Sequence, residues 1–172
     1  MDALIDASVR GLGPPHYSAA QVEAGLAHIF GVDTQLVADG TYFVLEAVDR
    51  ATPAMAACGG WSARRTLFGG DQHKTGVDDR LDPAAEPARI RAFFVHPAHA
   101  RRGLGRRLFE ACEDAAVSAG FAAFELMGTL PGVPLYEALG FVALDRVAVP
   151  TPAGVSLDCV RMRRGISRHR RA

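Results

Sequence analysis

Lysine, tryptophan and cysteine are scarce in this sequence: Lys74 and Trp61 are the only residues of their kinds, and there are 3 cysteines. Cys58, Cys112 and Cys159 are odd in number, far apart and set among apolar residues. That pattern argues against a disulfide framework or a zinc site and suits buried free thiols in a reducing cytoplasm. Net charge is also absent, at +0 over 172 residues, so bulk electrostatics favour neither nucleic acid nor membrane as a partner. No apolar run approaches the roughly twenty residues that span a bilayer. The start, with Asp2 and Asp6 and no apolar segment, is not a signal peptide. There is no G-x-S-x-G elbow, no G-x-x-x-x-G-K-S/T loop, and no cysteine with a histidine beside it in sequence. Spacings that match no ligand set argue against a metal. A cytoplasmic location is the expectation.

What is present is about half hydrophobic and a quarter charged, which fits one ordinary folded domain over residues 1–164. The arginine-rich end, 165–172, reads as a solvated, disordered tail; the alternative, nucleic-acid binding, has no support elsewhere in the chain. Met1–Arg10 and Ala19–Phe30 read as helices, the second capped by Ser18, and Asp33 caps a short turn before Ala38. Strands are expected at Thr41–Val48, at Met55–Ser62 with a break or bulge at its glycines, at Phe121–Met127, and as a hairpin of Val142–Val149 with Val155–Met162. Phe68–Pro87 is a polar connection, either a flap whose Asp71, His73, Asp78 and Asp79 touch a ligand or a mobile solvated loop. The elements add up to an α/β fold with a single mixed, mostly antiparallel sheet flanked by helices.

The most informative stretch is Phe93–Ala119. Phe93, Phe94 and Val95 form a β-favouring run stopped by Pro97. Leu104, Leu108, Cys112, Ala115 and Ala119 then follow helical spacing. Between them lies Arg101-Arg102-Gly103-Leu104-Gly105-Arg106-Arg107. A helix N-terminus carries partial positive charge and favours acids, yet this one opens on arginines with no acid before Glu110. Free amides, a positive dipole end and guanidiniums together suit a phosphate or pyrophosphate. The plainer alternative is a solvated basic helix start. His96 and His99 are too few for a metal, and His96 reads as the end of the strand.

Strand, His96-Pro97, Ala100-Arg-Arg-Gly-Leu-Gly105 and helix together resemble the acetyl-CoA signature of the GCN5-related N-acetyltransferase superfamily, Q/R-x-x-G-x-G/A, with Ala100 at the Gln/Arg position. The resemblance covers roughly Thr41–Arg163 and is strongest over Phe93–Phe141. It implies acetyl-CoA as co-substrate, with Phe93, Phe94 and Val95 offering backbone groups to the pantetheine where the sheet splays. Arg101, Arg102, Gly103, Leu104, Gly105 and Arg106 would hold the pyrophosphate. Tyr136-Glu-Ala-Leu-Gly-Phe141 is similar to the segment that carries the superfamily's general acid, so Tyr136 would protonate the departing sulfur; without the upstream motif, a packing tyrosine is the better reading. Thr129 stands where the family often has Asn. The superfamily's first edge strand has no residues here, through its loss or through a late start to the sequence. The implied activity is acetyl transfer to a small-molecule primary amine by direct attack in a ternary complex; the alternative is a non-catalytic acyl-CoA-binding module. A homodimer is possible by the same resemblance. No base stands out, although Glu46 and Glu125 are carboxylates in apolar strands, where burial would raise a pKa.

Overall fold

The computed structural model describes residues 1–47, 54–74, 76 and 78–166. The chain begins with three helices: α1 (Asp2–Leu12), α2 (Ala19–His28) and α3 (Thr34–Ala38). Ser18 opens α2 with a reciprocal capping box: its hydroxyl accepts from Gln21 N–H while the Gln21 side chain accepts from Ser18 N–H. Asp33 caps α3. The strands β1 (Tyr42–Ala47), β2 (Ala54–Ser62) and β3 (Ala88–Val95) follow. Then come α4 (Leu104–Ser118), β4 (Ala123–Thr129), α5 (Val133–Ala138), β5 (Val142–Pro150) and β6 (Ser156–Gly165).

The sheet has six strands in the order β1-β2-β3-β4-β6-β5. Every pairing is antiparallel except β3 with β4. It is the mixed, mostly antiparallel sheet expected, and among the described residues α1 is the first element. The expected boundary at residue 165 falls inside ordered structure: β6 runs through Gly165, and Ile166 N–H bonds Ala122 O at 2.8 Å. Residues 167–172, the rest of that arginine-rich end, lie outside the described residues.

Successive strand residues point to opposite faces. Phe93 packs with the cluster of Phe109, Phe124, Phe141 and Met162, whereas Phe94 packs with Ile5, Val9, Tyr17 and Val22. Helices therefore cover both faces, α4 on one and α1 with α2 on the other. The α4 stripe is rotated from the expected one. Gly105, Leu108, Phe109, Cys112 and Ala116 are buried, while Leu104 and Ala115 are half-buried and Ala119 is exposed. Phe109 meets Phe124 and Phe141 edge-on at 5.4 and 5.5 Å. Each such buried ring contributes about 1.5–3 kcal/mol of hydrophobic stabilisation, which sets the helix rotation in favour of Phe109.

Strands β3 and β4 are paired only at Ala88 with Phe124 and Arg89 with Glu125. Beyond that point β3 bulges. Cys58 opposes Phe94 and Gly60 opposes Arg91, so β3 carries one more residue than β2 across this step. Ala92 sits in the left-handed region at φ 55°, uncommon for a non-glycine residue. A bulge bends its strand, and the bend carries β3 away from β4. The cleft that results is the centre of the candidate site.

Candidate functional site

A cavity of about 680 Å³ occupies the space between the parted strands. Its walls include Ile90–Val95 of β3, Met127 and Thr129 of β4, and the turn from Ala100 to Arg106. Of the residues expected to meet a coenzyme, Phe93, Phe94, Val95, Arg101, Gly103, Leu104, Gly105 and Arg106 line it. Arg102 is exposed and is not among the lining residues.

The turn is built from two left-handed residues, Arg101 at φ 62° and Gly103 at φ 78°. Alternation of that kind turns successive N–H groups into one concavity that suits an anion. Gly103 is the N-cap of α4 and supplies no side-chain cap, so among the described residues the first amides of this helix have no side-chain acceptor. A Cβ added at Gly103 would meet nothing within 4 Å, which leaves open space in front of these amides. Gly105 serves differently: a Cβ there would lie 2.6 Å from Leu135 Cδ2, so its hydrogen lets α4 pack against α5. Arg106 donates from Nη2 to Ala138 O at 3.3 Å, across α5.

The backbone of β3 alternates between its neighbours. His96 N–H bonds Ala56 O at 2.8 Å, toward β2. Val95 N–H points the other way and bonds Ser8 Oγ of α1 at 3.2 Å. By this alternation Phe93 and Val95 turn their backbone groups to the cleft, while those of Phe94 face β2 opposite Cys58. His96 accepts from Ala98 N–H through Nδ1 and caps the turn at Pro97–His99, a structural use of that histidine.

Tyr136, on α5, lines the cavity and is 8% exposed. Its ring lies 6.4 Å from Phe93 and 5.7 Å edge-on from Phe141. Gly132 stands behind it, where a Cβ would be 3.2 Å from the ring. Burial pushes the phenol pKa above its ordinary value, with no protein hydrogen bond to lower it, so the hydroxyl stays protonated at neutral pH. Tyr136 thus presents a neutral donor with no protein acceptor among the described residues. That state suits proton delivery.

Neither carboxylate considered as a base reaches the cavity. Glu46 is exposed on β1. Glu125 lies between Arg89 at 3.5 Å and Arg161 at 3.9 Å on β4, away from the lining residues. The first part of the 68–87 connection contributes to the cavity wall. Leu67–Gly70 line the cavity, whereas Asp71, His73, Asp78 and Asp79 do not. Those acids hold the wall from behind: Asp78 Oδ1 accepts from Thr66 N–H at 2.7 Å, and Asp71 pairs with Lys74 at 3.7 Å. Asp33, completely buried, pairs with both Lys74 and Arg91, and Arg91 Nη2 donates to Gly69 O at 2.6 Å.

Several lining residues were not singled out from the sequence. Tyr17 donates to Asp158 O at 2.6 Å and accepts from Leu130 N–H at 2.9 Å, tying the α1–α2 turn to β6 and to the segment before Tyr136. Ser8 lay in a stretch read only as a helix, with no side chain singled out. Arg91 carried a signal, a charge between Ile90 and Ala92 in an apolar strand, where burial demands partners. Among the described residues no helix is long and apolar enough to cross a membrane.

Residues 35–141 match the model of the acetyltransferase (GNAT) family. No curated protein sequence matches the chain. Among solved structures, the fold is similar to a GCN5-related N-acetyltransferase from Rhodopseudomonas palustris (20% identity, TM-score 0.66, 96% of this chain and 87% of that one). It is similar to PaiA N-acetyltransferase from Thermoplasma acidophilum in complex with coenzyme A (12%, 0.59, 95% and 89%). It is also similar to yncA from Salmonella typhimurium with its cofactor acetyl-CoA (18%, 0.58, 98% and 91%).

Proposed function

The chain belongs to the GNAT acetyltransferase family, and on that premise we propose that it moves an acetyl group from acetyl-CoA to a primary amine by direct attack within a ternary complex. The observation that carries this reading is one cavity faced at once by a helix N-terminus with no side-chain cap and by a buried, protonated tyrosine with no hydrogen-bond partner among the described residues. Acetyl-CoA, when bound, supplies an activated acyl carbon and a sulfur leaving group. The amides from Gly103 onward and the Arg101 guanidinium suit its pyrophosphate. The backbone of Phe93 suits its pantetheine amides. Tyr136 gives its proton to sulfur as the carbon–sulfur bond breaks.

The residues fit this co-substrate in a way that is open to a direct check. Gly103→Glu would set a carboxylate in the open space before the α4 amides and abolish acetyl-CoA binding in calorimetry while the chain stays folded. Tyr136→Phe would retain binding and lower kcat by roughly 10²–10⁴-fold, the range of general acid catalysis. No acetyl-CoA binding by the folded native chain would overturn the proposal.

A second reading is a module that binds acyl-CoA without transfer. It is favoured by one observation: among the described residues no Asp or Glu lines the cavity, so no carboxylate is there to take the amine's proton. Equal, near-zero thiol release from the native chain and Tyr136→Phe, with acetyl-CoA bound to both, would select this reading.

A further inference from the structure

Away from the open turn of α4, the cavity is walled by Val9 and Leu12 of α1, Phe30 after α2, Leu67, and Val149 and Leu157 of the β5–β6 pair. Leu157 is completely buried and forms one cluster with Ile29, Val149 and Cys159, on which Phe30 and Phe68 pack. The wall at Leu67–Gly70 is tied in place. Gly70 N–H bonds Ile29 O at 2.8 Å, Asp71 N–H bonds Val32 O at 3.0 Å, and Arg91 holds Gly69 O. Apolar walls fixed in this way gain from burying hydrocarbon.

The charges point the same way. Among the described residues, the only Asp, Glu, Lys or Arg side chains lining the cavity are those of Arg91, Arg101 and Arg106. Asp33 and Asp78 are turned to Arg91 at 2.8 and 3.9 Å and lie outside the lining. A second cationic centre on an acceptor would find no carboxylate among these lining residues, and an unpaired charge in such surroundings is strongly disfavoured. For the reacting amine the effect is useful: apolar surroundings favour its neutral form, the one with a free lone pair.

Resting on the acetyl-transfer reading above, we propose that the acceptor is a primary amine carried on an apolar body, an arylalkyl or branched alkyl amine with no second cation. The nitrogen lone pair forms the nitrogen–carbon bond while the carbon–sulfur bond breaks and its electron pair goes to sulfur. Sulfur takes the Tyr136 proton, and the proton lost by nitrogen returns to the phenol through solvent. Amine and thioester thus give acetamide and free thiol with nothing else consumed.

The test measures thiol release by the full chain with acetyl-CoA and either 2-phenylethylamine, putrescine or spermidine, beside calorimetry of acetyl-CoA alone. The expected result is a kcat/KM for 2-phenylethylamine higher by roughly a hundredfold than for either polyamine. Leu67→Glu, which adds a carboxylate to the wall, narrows that ratio and leaves the Kd of acetyl-CoA unchanged. A preference for spermidine, no turnover of 2-phenylethylamine with acetyl-CoA bound, or an unchanged ratio in folded Leu67→Glu would each overturn the substrate class while leaving the coenzyme site standing. Failure of the folded native chain to bind acetyl-CoA would instead overturn the acetyl-transfer reading and this inference with it.

Discussion

Asp33 shows how much a single buried group can organise. It is completely buried, caps α3 through Leu36 N–H, and receives both Lys74 and Arg91. A carboxylate so placed is tolerated because its charge is answered from two sides. Of the cations it holds, Lys74 also pairs with Asp71 behind the cavity wall, and Arg91, which lines the cavity, reaches from β3 to Gly69 O. Asp33→Asn keeps a competent helix cap and nearly the same volume, yet leaves Lys74 and Arg91 beside a neutral amide. Breaking a buried pair by removing one partner costs about 3–5 kcal/mol, and urea denaturation should show a loss of that order. A loss under ~1 kcal/mol would mean that Asp71 and Asp78 alone balance the two cations.

At the scale of elements, the cleft depends on how β2 and β3 meet. Gly59 leaves room for the Phe93 ring, where a Cβ would lie 2.5 Å from Cδ2. At Gly60 a Cβ would come 2.6 Å from Thr41 O, a backbone atom that no rotamer change can move aside. Gly60→Ala should therefore destabilise the chain by about 1–3 kcal/mol, the usual cost of overpacking, read from a lowered denaturation midpoint. The sequence made a break at these glycines visible but not its form. The strand β2 runs unbroken, and the extra residue sits on β3 near Ala92, which has no glycine to announce it. Caps were legible because they are local: Ser18 and Asp33 act within three residues of themselves. The open turn at Gly103 was legible for the same reason. Ser8, Tyr17 and Arg91 were not, since what they do depends on partners up to 141 residues away in the chain. The surroundings of Glu46 and Glu125 were not legible, because apolar neighbours in a strand do not say which sheet face, or which arginine, a carboxylate meets.

Across the whole molecule, titratable groups are buried in their neutral forms on both faces of the sheet. Cys58, Cys112 and Cys159 are buried free thiols. Burial raises the pKa of all three, that of Cys159 to about 11. Burial also raises Tyr17, Tyr42 and Tyr136 above the ordinary phenol value. Each folded pKa lies above its unfolded value, so the native chain keeps protons that the unfolded chain releases. The stability these groups contribute is fully present below the unfolded thiol pKa of about 8.5 and declines as pH rises beyond it. The decline steepens above about 10, where unfolded phenols also ionise. Urea midpoints at pH 7, 9 and 10.5 should therefore fall in that order, with the larger drop in the second interval. Turnover should behave differently over the same range: Tyr136 remains protonated, so kcat should show no loss attributable to its ionisation below about pH 10, as long as the chain is folded. A falling kcat limb between pH 8 and 9.5 in folded protein, absent from Tyr136→Phe, would contradict the raised phenol pKa and with it the picture of Tyr136 as a neutral donor sealed by burial.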